Sequence, residues 1–315
     1  EYFIKKNKDM LVSIEIPSII GIDVPTGNYG ELKVKGWEVT VGWQDKIKDF
    51  SYGARFNLSD QKDKLVDYGV EYNGFVAGVN QKVQGYSLGS IFGYRTDGYF
   101  TSEEEVKNSA AFNKAITGVG DIKYIDKDGD GKISAPNDLE YLGTTTPRYT
   151  FGLNLTAAWK GFDLSMVWAG AAGFSIYWGA TTGYNAASTE WGSTIAQRVA
   201  ENHYFYNPEN PDDPRTNINA KYPRMAYIDG YVQNRHGNTT LWLYKGDYIK
   251  LKNLSLGYTL PKNWVSKIAM QNARVYVSAE NLLTITGFEG QDPESATGMG
   301  YSPFRTIAIG ANITF

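Results

Sequence analysis

Long stretches of this chain alternate apolar and polar residues with a period of two, the spacing of a β-strand that buries one face. Trp37, Val39, Val41 and Trp43 alternate with Glu38, Thr40 and Gly42. After a short polar turn, Phe50, Tyr52, Ala54, Phe56 and Leu58 alternate with Ser51, Gly53, Arg55 and Asn57. The clearest run sets Tyr149, Phe151, Leu153, Leu155, Ala157 and Trp159 against Thr150, Gly152, Asn154 and Thr156. Phe162, Leu164, Met166 and Trp168 follow across only Lys160 and Gly161, and Ile307, Ile309, Ala311, Ile313 and Phe315 form the last run. Between Ile249–Leu251 and Leu254–Leu256–Tyr258 the phase changes across Lys252–Asn253, which predicts a β-bulge.

Alternation alone also fits a sandwich with one wet face, and strand length separates the two. Tyr149 and Trp159 share a face ten positions apart, about 33 Å along a strand rising about 3.3 Å per residue. Tilted by about 40°, such a strand climbs about 25 Å, the height of the apolar band between the aromatic girdles of a membrane barrel. Ordinary strands are about half as long. The expected fold class is therefore all-β, an antiparallel transmembrane β-barrel wall. About ten strands are legible, whereas large plugged barrels close with about 22, and an open wall would leave unpaired edges in lipid. Residues 1–315 are thus expected to be the C-terminal part of a larger barrel. Long polar stretches at about 97–146, 179–240 and 287–302 are expected outside the cell, with the short turns on the periplasmic side. Helical inserts are expected at Ser102–Ile116 and about Ser188–Tyr204, inside those loops.

Composition narrows the function classes. The net charge of -3 gives no basic field for nucleic acid. A mean hydropathy of -0.38 and apolar runs broken within a dozen residues exclude a helical membrane protein but not a barrel. Aromatics reach 14%, with 23 Tyr and 8 Trp, more than a core of this size uses. Cysteine is absent, so disulfides and thiolate chemistry are excluded.

Five stretches, in order, carry a resemblance: GDIKYIDKDGDGKI (Gly120–Ile133), YLGTTTPRYTFGLNLTAAWKGFDLS (Tyr141–Ser165), GDYIKLKNLSLGYTLPKNW (Gly246–Trp264), ARVYVSAENLLTITGFEGQDPES (Ala273–Ser295) and RTIAIGANITF (Arg305–Phe315). Together they resemble the SusC/RagA family of TonB-dependent outer-membrane transporters of Bacteroidota. The resemblance implies an importer of glycan or peptide oligomers, with a lumen plug and an N-terminal box that engages TonB. It also implies a SusD-like surface lipoprotein over the outer face. Plug, box and signal peptide are not among the matched stretches. Phe315, on an amphipathic last strand, is similar to the family's signal for barrel assembly.

The strongest local motif is Asp126-Lys127-Asp128-Gly129-Asp130-Gly131-Lys132-Ile133-Ser134. Carboxylates at positions 1, 3 and 5, glycine at 6 and an apolar residue at 8 match an EF-hand calcium loop. The Lys132 carbonyl, Ser134 and Asp138 are further candidate donors. Asn137 stands where the bidentate carboxylate belongs, with Asp138 one place later, so magnesium or an ordinary Asp-Gly turn is the competing reading. The expected role is a structural calcium ion stiffening an outer loop. Gly85-Tyr86-Ser87-Leu88-Gly89 fits the nucleophile-elbow pattern, but apolar Ile91-Phe92-Gly93-Tyr94 continues it as strand, and no enzyme is expected. His203 and His236 read as solvated loop residues. Trp178, Tyr184, Trp191, Tyr204, Tyr206, Asp212, Asp213 and Arg215 crowd one loop. Flat aromatic faces beside fixed charges suit oligomer binding, although packing of the loop itself is the blander reading for any one of them. The competing class for the whole chain is a secreted, soluble, calcium-stabilised glycan-binding β-protein, which would close its fold within 315 residues.

Overall fold

A computed structural model describes residues 1–13, 26–68, 75–178, 197–225, 233–234, 238–295 and 303–315. In chain order its strands are β1 (Tyr2–Ser13), β2 (Thr26–Ile47), β3 (Phe50–Asp67), β4 (Gly78–Gln81), β5 (Ser90–Tyr94), β6 (Thr96–Tyr99), β7 (Ile122–Tyr124) and β8 (Leu139–Thr144). Then follow β9 (Tyr149–Trp159), β10 (Phe162–Ala172), β11 (Ser175–Tyr177), β12 (Leu243–Lys245), β13 (Tyr248–Thr259), β14 (Asn272–Thr286) and β15 (Thr306–Thr314). Eight of them form one antiparallel sheet in the order β1-β2-β3-β9-β10-β13-β14-β15.

The period-two pattern explains why this sheet has two unlike faces. Pairing aligns Trp43, Ala54, Leu155, Met166, Leu254, Ala279 and Ile307 in one row across seven strands. One residue further along, Gln44, Gly53, Thr156, Ser165, Ser255, Ser278 and Ala308 form the next row, on the opposite face. The apolar face is not covered: Trp43 is 64% exposed, Ile309 84% and Ile313 48%. Phe151 and Leu155 are half-buried by their neighbours in the sheet. A soluble sandwich would pack these residues inside, so the soluble alternative has no account of this face.

Turn chemistry fixes the register. Lys160 (φ 46°) and Gly161 (φ 90°) lie in the left-handed region, as a two-residue hairpin of primed type requires. The hairpin aligns Trp159 with Phe162, and that row extends to Phe50 and Tyr258 as an aromatic belt at the short-turn end. The expected bulge is present: the β10–β13 register slips between Val167/Trp168, leaving Lys252 as the extra residue. The β13–β14 register slips at the same level, where Asn281 of β14 has φ 50°.

The connections β2–β3, β9–β10 and β13–β14 lie at one end of the sheet, and β3–β9, β10–β13 and β14–β15 at the other. The long stretches do share one end, but their extents differ from expectation. The first excursion leaves the sheet at Tyr68, not near Asp97, and carries β4 to β8. Ser90–Tyr94 is buried throughout and pairs with β8, so this segment belongs to the cap and not to the barrel wall. An unbroken apolar run is what a strand covered on both faces needs, and the alternating wall lacks such runs. The wall therefore has eight strands among the described residues. The helical insert is shorter than Ser102–Ile116: it spans Glu103–Asn108, capped by Ser102, and ends where Ser109 turns extended. Of the second insert, Gln197–Glu201 is helical and 188–196 lies outside the described residues.

Candidate functional site

The cap is held by a buried polar joint between two excursions far apart in sequence. Asp121, with no exposure, accepts from Arg224 Nε at 2.5 Å and from Arg224 Nη2 at 2.9 Å. Asn234 donates to Asp121 at 3.0 Å, and its Oδ1 accepts the Ile122 amide at 2.8 Å. Gln233 donates to the Ile122 carbonyl at 2.7 Å. Beside this joint Tyr94, Phe112 and Tyr124 meet edge to face over a core of Ile122, Ile133 and Leu139. The joint ties the first excursion to the second through side chains with their polar atoms satisfied, so breaking any one bond would leave a buried polar group unpaired.

On that frame sits the acidic loop. The side chains of Asp126, Asp128 and Asp130 bring one oxygen each within 4.8 Å of one another. Backbone amides shape it: Asp126 accepts from Gly129 at 2.7 Å and from Gly131 at 2.8 Å, and Asp130 accepts from Lys132 at 2.8 Å. These amide bonds, the Gly131 amide foremost, hold the Asp126 carboxyl below the usual carboxylate range. Asp138 is buried, and its two oxygens accept the amides of Lys127 (2.7 Å) and Ser134 (2.8 Å), so it ties the loop's ends together. Asn137 donates to Asp128 at 2.7 Å. Three hard oxygens converging on one point suit a divalent cation such as calcium, with the carbonyl of Lys132 and Ser134 next in sequence.

The aromatic loop divides into packed and open members. Trp178 is buried edge to face with Tyr244 and Phe288, and the Arg198 guanidinium lies 3.8 Å from its ring centroid. Tyr204 is buried against Tyr99 and over Gly120, where a side chain at φ 85° would meet its ring. Asp213 is buried and paired through both oxygens with Arg215, at 3.0 and 2.7 Å. That bidentate pair lowers the Asp213 carboxyl to about 2. Arg215 in turn lies over Phe205, 4.7 Å from the ring centroid. Tyr206 and Asp212 are exposed, while Tyr184 and Trp191 lie outside the described residues. A cavity of about 570 Å³ opens between the excursions, lined by Glu103, His203, Tyr204, Phe205, Tyr206 and Met225 among others. Packing thus accounts for Trp178, and the cavity gathers Tyr204 and Tyr206.

Sequence reasoning missed a buried lysine. Lys250 has no exposed surface, and its Nζ lies 2.6 Å from both oxygens of Asp292 and 2.8 Å from Glu294. Lys252, the bulge residue, reaches Glu294 at 2.5 Å. These contacts bind the last long connection to the inner wall. The signal was present, since Lys250 falls on the polar face between Ile249 and Leu251. Ser87 donates to Asp63 at 2.5 Å in a turn that leads into β5, not a helix, and His203 contacts the carbonyls of Val199 and Ala200. The strand that follows Ser87 therefore replaces the strand-to-helix elbow that the GxSxG pattern requires.

No family model matches the chain. It is similar over its whole length to TonB-dependent receptors P3 and P26 of Formosa agariphila, at 29% identity each, and covers 32% of either. TonB-dependent receptor SusC of Bacteroides thetaiotaomicron is 20% identical over 99% of the chain, which covers 29% of SusC. Among solved structures, the RagAB peptide transporter matches all of the chain with a TM-score of 0.73 at 20% identity, over 33% of the matched chain. The chain spans about a third of the length of the curated relatives it matches.

Proposed function

Because the chain fits the SusC/RagA family of TonB-dependent transporters along its full length, we propose that it forms wall and outer loops of an importer in the outer membrane of a Bacteroidota-like bacterium. The observation that carries this reading is the uncovered apolar face running across the whole sheet, backed by a polar face. In lipid the exposed rows lose their contact with water, and the inward rows line a wet lumen. The cargo is a glycan or peptide oligomer, held at the loop end between the cap and a SusD-like surface lipoprotein. Release inward is powered through TonB, engaged by a part of the transporter outside residues 1–315. Tyr206, exposed at the cavity of the cap, and Tyr204 beneath it contribute aromatic surface to that binding.

The acidic loop holds a structural calcium ion through Asp126, Asp128 and Asp130, which stiffens the cap without taking part in chemistry. RagAB is named a peptide transporter, which supports an oligomeric cargo here.

The reading is tested by extracting the intact transporter in mild detergent and identifying bound partners by mass spectrometry. The result expected is a surface lipoprotein together with short oligomers, and cellular uptake of those oligomers that stops when TonB is removed. Uptake that continues without TonB contradicts the proposal.

A further inference from the structure

Three strands of the wall, β1, β2 and β3, rise well past the others at the loop end, and their outer faces change character abruptly. The β1–β2–β3 register is unbroken from Tyr2↔Trp37 to Asn7↔Leu32 and from Ile47↔Phe50 to Leu32↔Leu65. Alternation therefore continues without a slip from the apolar face upward. Trp37 stands in a row with Tyr2, Asp60 and Tyr149, an upper counterpart of the aromatic belt at the other end. The next outward row is Ile4, Lys35 and Lys62, and the one above it is Lys6, Lys33 and Lys64. Five lysines thus share one outer face on three neighbouring strands, about 4.8 Å apart across strands and about 6.6 Å apart along them.

Like charges set directly opposite each other destabilise a sheet, so three ammonium groups in one row ask for a counter-ion. Lys6, Lys35, Lys62 and Lys64 are exposed and Lys33 half-buried. Among the described residues none of the five pairs with a carboxylate within 4.0 Å. The nearby acids are otherwise engaged. Asp60 takes two bonds from Arg148, Asp63 faces inward to Ser87 and the Leu88 amide, and Glu31 lies 4.0 Å from Lys8. Lys6, Lys33, Lys64 and Glu31 border an open hollow of about 640 Å³.

Height decides the ligand. On strands tilted by about 40°, the two lysine rows stand about 5 and 10 Å above the Trp37 girdle. A bilayer's polar headgroup layer extends about 5–7 Å beyond its hydrocarbon on each side. The lower row therefore stands within it and the upper row just above it, within reach for the long lysine stem. We propose that this patch binds a phosphorylated glycolipid of the external leaflet, its acyl chains on the apolar face below and its phosphates on the two lysine rows. Two levels of cation suit a headgroup with more than one phosphate. The proposal rests on the membrane-spanning reading of the sheet.

The test measures retention of bisphosphorylated lipid A by the detergent-extracted transporter, using native mass spectrometry, with monophosphorylated lipid A and phosphatidylcholine as comparisons. Each surface lysine is worth roughly fivefold in affinity for anionic lipid. Joint substitution Lys6→Gln, Lys33→Gln, Lys35→Gln, Lys62→Gln and Lys64→Gln should weaken bisphosphorylated lipid A at least tenfold, and five Lys→Arg changes should keep it. Wild-type retention should fall as salt is raised and rank bisphosphorylated above monophosphorylated above phosphatidylcholine, a readout independent of how the variants fold. Equal retention by the glutamine variant, or wild-type retention indifferent to salt and phosphate number, overturns the proposal. So does loss of an acidic protein partner with lipid unchanged. Wild-type protein that stays in buffer without detergent instead defeats the membrane reading itself.

Discussion

Lys250 and Asp292 form a buried ion pair in which one ammonium lies 2.6 Å from both carboxylate oxygens, with no exposure of the lysine. The pair joins the first residues of β13, at the loop end, to the connection between β14 and β15. Removing one partner of a buried pair strands the other charge, which costs about 3–5 kcal/mol. Lys250→Met strands Asp292, whereas Glu294 keeps Lys252. That change should therefore release the segment around Phe288–Ser295 to proteolysis, and adding Asp292→Leu to it should recover most of the protection. Asp292→Asn alone should be milder, because Lys250 retains Glu294. Equal cleavage in all of these proteins would show that the pair does not hold the segment.

The two faces of β9 should respond oppositely to charge. Leu155 lies in an apolar row and Thr156 in the polar row behind it. An arginine on the lipid side near the bilayer midplane costs about 2–4 kcal/mol. Leu155→Arg should lower unfolding stability in liposomes by that amount, and Thr156→Arg by less than 1 kcal/mol, within the range of ordinary surface changes. Denaturant unfolding followed by tryptophan emission distinguishes them.

Acid should open the turn around Asp213. Its carboxyl is held at about 2, well below the usual carboxylate range, because Arg215 binds the charged form. A lowered folded value means the stabilisation is complete above about 4 and is lost as pH falls toward 2. Nicking of 207–217 by an acid-active protease should rise across that window, and Arg215→Gln should bring comparable nicking at pH 5. Protection unchanged down to pH 2 would refute this.

Calcium should protect the acidic loop. With Asp126, Asp128 and Asp130 bridged by one divalent cation, cleavage within 120–138 should slow, while a chelator or paired Asp128→Asn and Asp130→Asn should restore it. Barrel strands should be unaffected by either treatment. Identical cleavage with and without chelator would argue for a self-sufficient Asp-Gly turn.

These outcomes also mark what could be read from residues alone. Wall strands were legible because each buries one face, which imprints a period of two, and even the phase slip at Lys252 left a trace. The cap was not, because β5 is covered on both sides and short strands such as β7 and β11 carry too few residues for a period. The acidic loop was visible as a local motif, for its carboxylates lie within a few positions of one another. Arg224 on Asp121 and Lys250 on Asp292 were not, since their partners lie 103 and 42 positions away and nothing local announces them.

Alternate residues of the wall face lipid and water in turn. With no cysteine in the chain, single cysteines can be placed at Leu155, Thr156, Ala308 and Ile309 and spin-labelled in the membrane-embedded transporter. Labels at 155 and 309 should collide with lipid-dissolved oxygen and be shielded from a water-soluble nickel reagent, with the order reversed at 156 and 308. Nickel access that does not alternate along the strand would contradict the account.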